Sequence, residues 1–163
     1  MDDEMKKDGK PGKSREDQVQ ALFESGYNCA QSVFVAYCDL FGISREMGLK
    51  LSCSLGGGYA RMREMCGAVS GMALICGLAC GNADPSDQAA KTENYTKTRE
   101  MIERFRQENG SYLCRELLGV ASPEASASPS LRTKEYYDKR PCSRLVRSAG
   151  RIIEETFPEY FRE

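Results

Sequence analysis

The chain of 163 residues contains no histidine and no tryptophan. The missing histidine excludes the usual general base, the imidazole partner of a catalytic cysteine or serine, and every metal site that needs an imidazole nitrogen. No Cys-x-x-Cys occurs, so neither thioredoxin chemistry nor a zinc-ribbon spacing is available. An excess of one charge is also missing: 23 Lys and Arg stand against 24 Asp and Glu, for a formal net charge of −1. That balance offers no basic footprint for nucleic acid or anionic lipid. The first residues, MDDEMKKDGKPGKSRED, lack the apolar core of a signal peptide. The longest uncharged stretch, Met65 to Asn82, is near the lower length limit of a membrane span and is rich in glycine; it reads as a buried helix. No stretch alternates with period two over a convincing length, which removes strands and leaves an all-α class.

What the chain does have is cysteine: Cys29, Cys38, Cys53, Cys66, Cys76, Cys80, Cys114 and Cys142. With no leader expected, these belong in a reducing, cytoplasmic setting, where thiols are free, catalytic or metal-bound. The hydrophobic content of 40% suffices for one core. Residues 1–13 read as a disordered tail and residues 14–163 as one bundle of about five to seven helices. Ser14 opens the first helix and Gly26 stops it; Asn28 caps a second helix reaching Gly42; Ser44 opens a shorter one. The small residues of CGAVSGMALICGLACG, Cys66 to Gly81, predict a central helix against which neighbouring backbones approach closely. Asp84 and Pro85 are expected to cap the next helix, whose apolar face carries Tyr95, Met101, Ile102 and Phe105 and which ends at Asn109-Gly110. Ser111 is expected to cap a short helix ending at Gly119. A low-complexity loop follows near 121–135, and Pro141 begins the last helix with the stripe Leu145, Val146, Ala149, Ile152, Ile153, Thr156.

This map divides the cysteines. Cys29, Cys114 and Cys142 fall within the first turn of predicted helices, and Cys66 heads the apolar helix after a Gly-rich turn. At such positions unpaired N–H groups and the positive end of the helix dipole stabilise a thiolate and offer hydrogen bonds to bound sulfur. Four helix starts converging in a bundle would make a four-thiolate site. Cys38 lies inside a helix, Cys76 and Cys80 sit a turn apart in an apolar run and read as small core residues, with an i, i+4 ligand pair as the alternative, and Cys53 is open to either reading. Gly56-Gly57-Gly58 lacks the spacing of a phosphate-binding loop and reads as a structural turn or a close backbone approach. Arg61 and Arg63 are candidate cationic partners for thiolates, or simply solvated. No pair of carboxylates stands apart as an acid/base dyad.

Asn28-Cys29-Ala30-Gln31-Ser32-Val33, the Gly run at 56–58, Cys66-Gly67-Ala68-Val69-Ser70-Gly71, Cys114-Arg115-Glu116-Leu117-Leu118-Gly119, and Cys142 before Val146 and Ala149 together resemble the C-GCAxxG-C-C family of redox-active proteins, from about Ser25 to Ile153. The central block departs from the family's letters, with Met65 before the cysteine and Gly67 between Cys66 and Ala68. The resemblance implies a helical domain with four characteristic cysteines, here Cys29, Cys66, Cys114 and Cys142. A related domain occurs in split-Soret cytochromes, where the cysteines are associated with a non-haem iron–sulfur centre; no C-x-x-C-H is present, so covalent haem does not carry over. The leading expectation is therefore an iron–sulfur cluster on these four cysteines, with zinc in a Cys₄ site as the alternative cargo. An electron-transfer partner protein is expected, and neither nucleic acid nor membrane. Two other readings remain open: cofactor-free thiol–disulfide chemistry, and a helical interaction domain with structural cysteines. The sequence leaves open whether the chain is an enzyme.

Overall fold

The computed structural model describes residues 14–121 and 123–162; the tail at 1–13 lies outside them. In chain order the elements are α1 (Arg15–Glu24), α2 (Cys29–Cys38), a 3-10 turn (Asp39–Phe41), α3 (Arg45–Cys53), the single turn α4 (Gly56–Tyr59), α5 (Gly67–Cys80), α6 (Gln88–Asn109), the short α7 (Cys114–Leu118), α8 (Lys134–Lys139), α9 (Cys142–Thr156) and a last 3-10 turn (Pro158–Tyr160). Among the described residues there is no strand, and the fold is all-α. None of these helices is long and apolar enough to cross a membrane.

Local chemistry explains most of the boundaries. The Ser14 hydroxyl accepts from the Asp17 amide. Asn28 and Gln31 form a reciprocal capping box, each side chain accepting from the other's backbone N–H. One start lies later than expected: Asp87, not Asp84, caps α6 by accepting from the Ala90 amide at 3.0 Å. The Asp84 carboxylate is turned instead onto the Ser86 amide and hydroxyl, closing a turn ahead of the helix. Ser111 likewise closes a turn, accepting from the Leu113 amide, and does not cap α7 directly.

Helix α5 shares the centre with α2, which packs on α1, α3, α5 and α9. Eight of the ten α2 residues are buried, as expected for a helix apolar nearly all round. The two axes approach closely because a Cβ at Gly71 would stand 2.9 Å from the Ala30 carbonyl oxygen and 3.0 Å from the Val33 Cβ. Helix α9 lays Leu145, Val146, Ala149, Ile152 and Ile153 into the same core with Val19, Phe23, Met72, Met101 and Phe105. Only the C-terminal half of α6 joins that core; Tyr95, expected on its apolar face, is 61% exposed.

Candidate four-thiol site

Each of the four helix-start cysteines is placed by its neighbours in sequence. Cys29 and Cys142 are the first residues of α2 and α9, following the caps Asn28 and Pro141; Cys114 is the first residue of α7, and Cys66 is the cap position of α5. A short antiparallel backbone pairing joins two of these starts. The Cys66 amide donates to the Tyr112 carbonyl at 2.8 Å, the Cys114 amide to Glu64 at 2.6 Å, and the Arg115 amide to Arg63 at 3.2 Å. The head of α5 is pressed onto the head of α2 at Gly67, where a Cβ would meet the Ala30 nitrogen at 3.0 Å and the Cys29 Cβ at 3.1 Å. The four starts therefore meet on one cavity of about 360 Å³, lined by Cys29, Cys66, Cys114 and Cys142.

The Gly run supplies the opposite wall. Gly57, Gly58, Tyr59, Ala60, Arg61 and Arg63 all have φ between 52° and 70°. For the non-glycine members this left-handed backbone costs about 1–2 kcal/mol per residue. Hydrogen bonds from the Arg63 amide to Gly57 and from the Glu64 amide to Gly58 hold the segment in place. Gly58 has no room for a side chain: a Cβ would lie 2.7 Å from both the Cys114 Cβ and the Glu64 nitrogen. The product of this strained turn is that Arg61 and Arg63 face the cavity. Arg63 is 3% exposed, its Nη1 stands 3.6 Å from the Cys114 sulfur, and its Nη2 donates to Glu124 at 3.2 Å. Among the described residues the buried Nε atoms of Arg61 and Arg63 have no hydrogen-bond partner.

Two more cations line the cavity. Arg132 donates to the Phe23 and Tyr27 carbonyls, and Arg140 stacks on Tyr136 with its guanidinium carbon 4.5 Å from the ring centre. These groups separate the thiols. Cys142 is held below the ordinary thiol value, first by a hydrogen bond from Cys29 and then by Arg140, Arg132 and Arg63, against the effect of burial. Cys29, as the proton donor of that pair and a buried thiol, is pushed well above it. Burial pushes Cys66 up to about 12, opposed by the Ala68 and Val69 amides at the head of α5. Burial raises Cys114 too, with Arg63 pulling the other way. The arrangement is a cationic cavity in which the Cys142 thiol is shifted down and the other three are shifted up.

A profile described as "Putative redox-active protein (C_GCAxxG_C_C)" matches residues 27–156. The chain belongs to this family. The C-GCAxxG-C-C match takes in Cys29, Cys66, Cys114 and Cys142, together with the Gly run and the loop that closes the cavity. No curated protein and no solved structure matches the chain.

The remaining cysteines stand apart or at the edge. Cys38 is buried, its thiol directed at the Ile43 and Val35 carbonyls. Cys76 is buried in α5 and Cys80 half-buried beside it, outside the cavity. Cys53 is exposed and lines the rim. The loop near 121–135, which composition marks only as low complexity, belongs to the site: Ala127, Pro129 and Ser130 line the cavity. Arg61 donates to the Ser128 carbonyl and to Ser130, and Glu124 pairs with both Arg61 and Arg63. The loop also ends early in α8, capped by Thr133, whose Tyr136 and Tyr137 pack on Phe23. The charged residues Glu124 and Arg132 among small ones were the available signal. Among the described residues no group of three or more Cys, Asp or Glu side chains is gathered about a single point that would hold one metal ion; the four thiols surround a space.

Proposed function

We propose that the chain is a redox protein whose Cys29, Cys66, Cys114 and Cys142 hold an iron–sulfur cluster. The observation that carries this reading is the meeting of four helix-start thiols on one cavity of about 360 Å³ flanked by Arg61, Arg63, Arg132 and Arg140. Four thiolates around inorganic sulfide form a polyanion, and helix N-termini with arginines compensate that charge. Arg63 Nη1, 3.6 Å from the Cys114 sulfur, is a donor available to bound sulfur. The spread of the thiols around a space favours a polynuclear core over one tetrahedral zinc ion, which draws all its sulfurs to a single point. A bound cluster supplies one-electron transfer. The chain's own residues fix the ligands at the ends of rigid helices, neutralise charge through Arg63 and close the cavity with the 123–131 loop. An electron-transfer partner protein is implied.

The second reading is dithiol exchange, favoured by Cys29 and Cys142 lining the same cavity, with a hydrogen bond from Cys29 that lowers the Cys142 thiol. Cys142 would attack a partner disulfide and release one partner thiol. Cys29 would then attack the mixed disulfide, leaving a Cys29–Cys142 disulfide and the partner reduced by two electrons.

One experiment separates these. Anaerobically purified protein should be coloured and contain iron with acid-labile sulfide, and Cys114→Ser or Cys142→Ser should remove most of both. Colourless protein with one tightly held zinc would replace the redox reading with a structural site. Metal-free protein in which only Cys29 and Cys142 oxidise reversibly would establish exchange instead. Metal-free protein with inert thiols would leave a helical interaction domain.

A further inference from the structure

Away from the four-thiol cavity, the last turns of α5 carry a second pair of sulfurs. Cys76 and Cys80 are four residues apart, so their side chains leave the same face of the helix. Their Sγ atoms stand 3.7 Å apart. Two thiolates on one tetrahedral zinc ion, at the usual zinc–sulfur length, stand about 3.8 Å apart. The pair is therefore already spaced to grip one ion between its sulfurs.

Cys76 belongs to the apolar core and the Cys80 thiol donates to the Cys76 carbonyl at 3.3 Å, but the other side of the pair is polar. A cysteine serving as a small hydrophobe is met by carbon. Here the facing helix α6 presents polar groups. Asn94 Nδ2 lies 3.5 Å from the Cys80 sulfur and 3.9 Å from the Cys76 sulfur, and it also donates to the Cys76 carbonyl at 3.4 Å. Thr98 Oγ1 is 3.3 Å from the Cys76 sulfur. N–H donors aimed at sulfur are the outer partners that steady a metal-bound thiolate. Cys80 is half-buried and gives the approach from solvent, with Cys76 buried behind it.

The charge of the helix also differs between the two sets of thiols. The four cavity cysteines sit at helix starts, where the dipole favours an anion. Cys76 and Cys80 sit toward the end of α5, where unpaired carbonyls make the helix end negative and favour a cation. A dithiolate with a divalent cation is neutral, and it relieves at that end the charge that bare thiolates would add.

We infer that Cys76 and Cys80 form a second site, separate from the cavity, that chelates a divalent d10 cation of the zinc class through both sulfurs. Solvent completes the coordination, as only two protein sulfurs are at hand. Binding converts two thiols and one cation into a metal dithiolate and two released protons, with no change of oxidation state. Soft sulfur donors select this class over hard cations such as magnesium or calcium.

The test uses the full chain, reduced and anaerobic, with Cd2+ as the spectroscopic probe for zinc. Ultraviolet sulfur-to-cadmium charge transfer should show the wild type taking up one equivalent more than Cys80→Ser or Cys76→Ala. That difference is unaffected by what the four-thiol cavity holds. In the unmutated chain, alkylation of Cys80, followed by peptide mass, should slow on the order of a hundredfold at Cd2+ a hundred times above its dissociation constant, because only the free fraction reacts. Equal uptake by all three proteins, or undiminished alkylation of Cys80 at saturating Cd2+, would overturn the inference; the alkylation readout needs no variant to fold.

Discussion

Arg63 Nη1 lies 3.6 Å from the sulfur of Cys114, and the same guanidinium reaches Glu124 through Nη2. One buried cation thus ties a helix-start thiol to the loop that covers it, from a backbone position with φ of 59°. Arg63→Asn is the informative replacement, because Asn tolerates left-handed backbone and so removes the guanidinium without adding strain. It should lower unfolding free energy by about 1.5–3 kcal/mol, the range for hydrogen bonds to charged groups. It should also reduce the iron retained on anaerobic purification. Chemical denaturation and metal analysis check the two effects separately.

Gly71 and Gly77 lie on the same helix with opposite surroundings. A Cβ at Gly71 would strike the Ala30 carbonyl and Val33, while at Gly77 nothing lies within 4 Å. Gly71→Ala should destabilise by about 1–3 kcal/mol through overpacking against backbone. Gly77→Ala should stabilise by up to about 1 kcal/mol through helix propensity. Opposite shifts in the denaturation midpoint are the expected result.

Shortening the loop between residues 123 and 131 should lower stability, since it removes Glu124, the carboxylate paired with the buried Arg63 guanidinium. Its effect should also appear at the cavity. Loss of Glu124 and of the Ser128 and Ser130 contacts leaves Arg61 unanchored and opens the wall, so Cys114 and Cys142 should alkylate faster in reduced, metal-free protein. Unchanged rates for both thiols would show that the loop does not cover them.

Tyr37 donates a hydrogen bond to Glu154 Oε1 at 3.2 Å inside the α2–α9 contact. Burial raises the Glu154 carboxyl above its ordinary value, with Glu16 adding to the rise and Tyr37 and Arg15 opposing it. The folded state therefore binds this proton more tightly than the unfolded state. Its contribution to stability is complete below the ordinary value of 4.5 and is lost as pH rises through the raised one. Glu154→Gln keeps the acceptor for Tyr37 and removes the charge. It should stabilise the protein at neutral pH, by less than about 1 kcal/mol for a group only half-buried, and the gain should vanish in acid. Urea midpoints at the two pH values decide it.

The helical class, the caps at Ser14, Asn28 and Ser44, and the positions of Cys29, Cys66, Cys114 and Cys142 at helix heads are all local matters. They depend on which side chain can reach an N–H three residues on, and on which residues repeat every three or four, so the chain carries them in adjacent letters. The Asp84 start was misread for the same reason: two acceptors three residues apart, Asp84 and Asp87, compete for one helix, and only the turn closed by Ser86 decides between them. What tertiary structure alone decided is where the helix heads point. Gly67 and Gly71 mark α5 in sequence as a helix that neighbours approach closely but do not say which neighbour; the fold brings α2, closely enough for Cys66 to join Cys29. The pairing of 63–66 with 112–115 places Cys114 beside Cys66 across nearly fifty residues of chain, and a left-handed run turns Arg61 and Arg63 inward. The polar company of Cys76 and Cys80 comes from a different helix, so their apolar neighbours in sequence disguised it. Contacts between distant segments depend on how whole surfaces fit, and no window of local sequence encodes that fit.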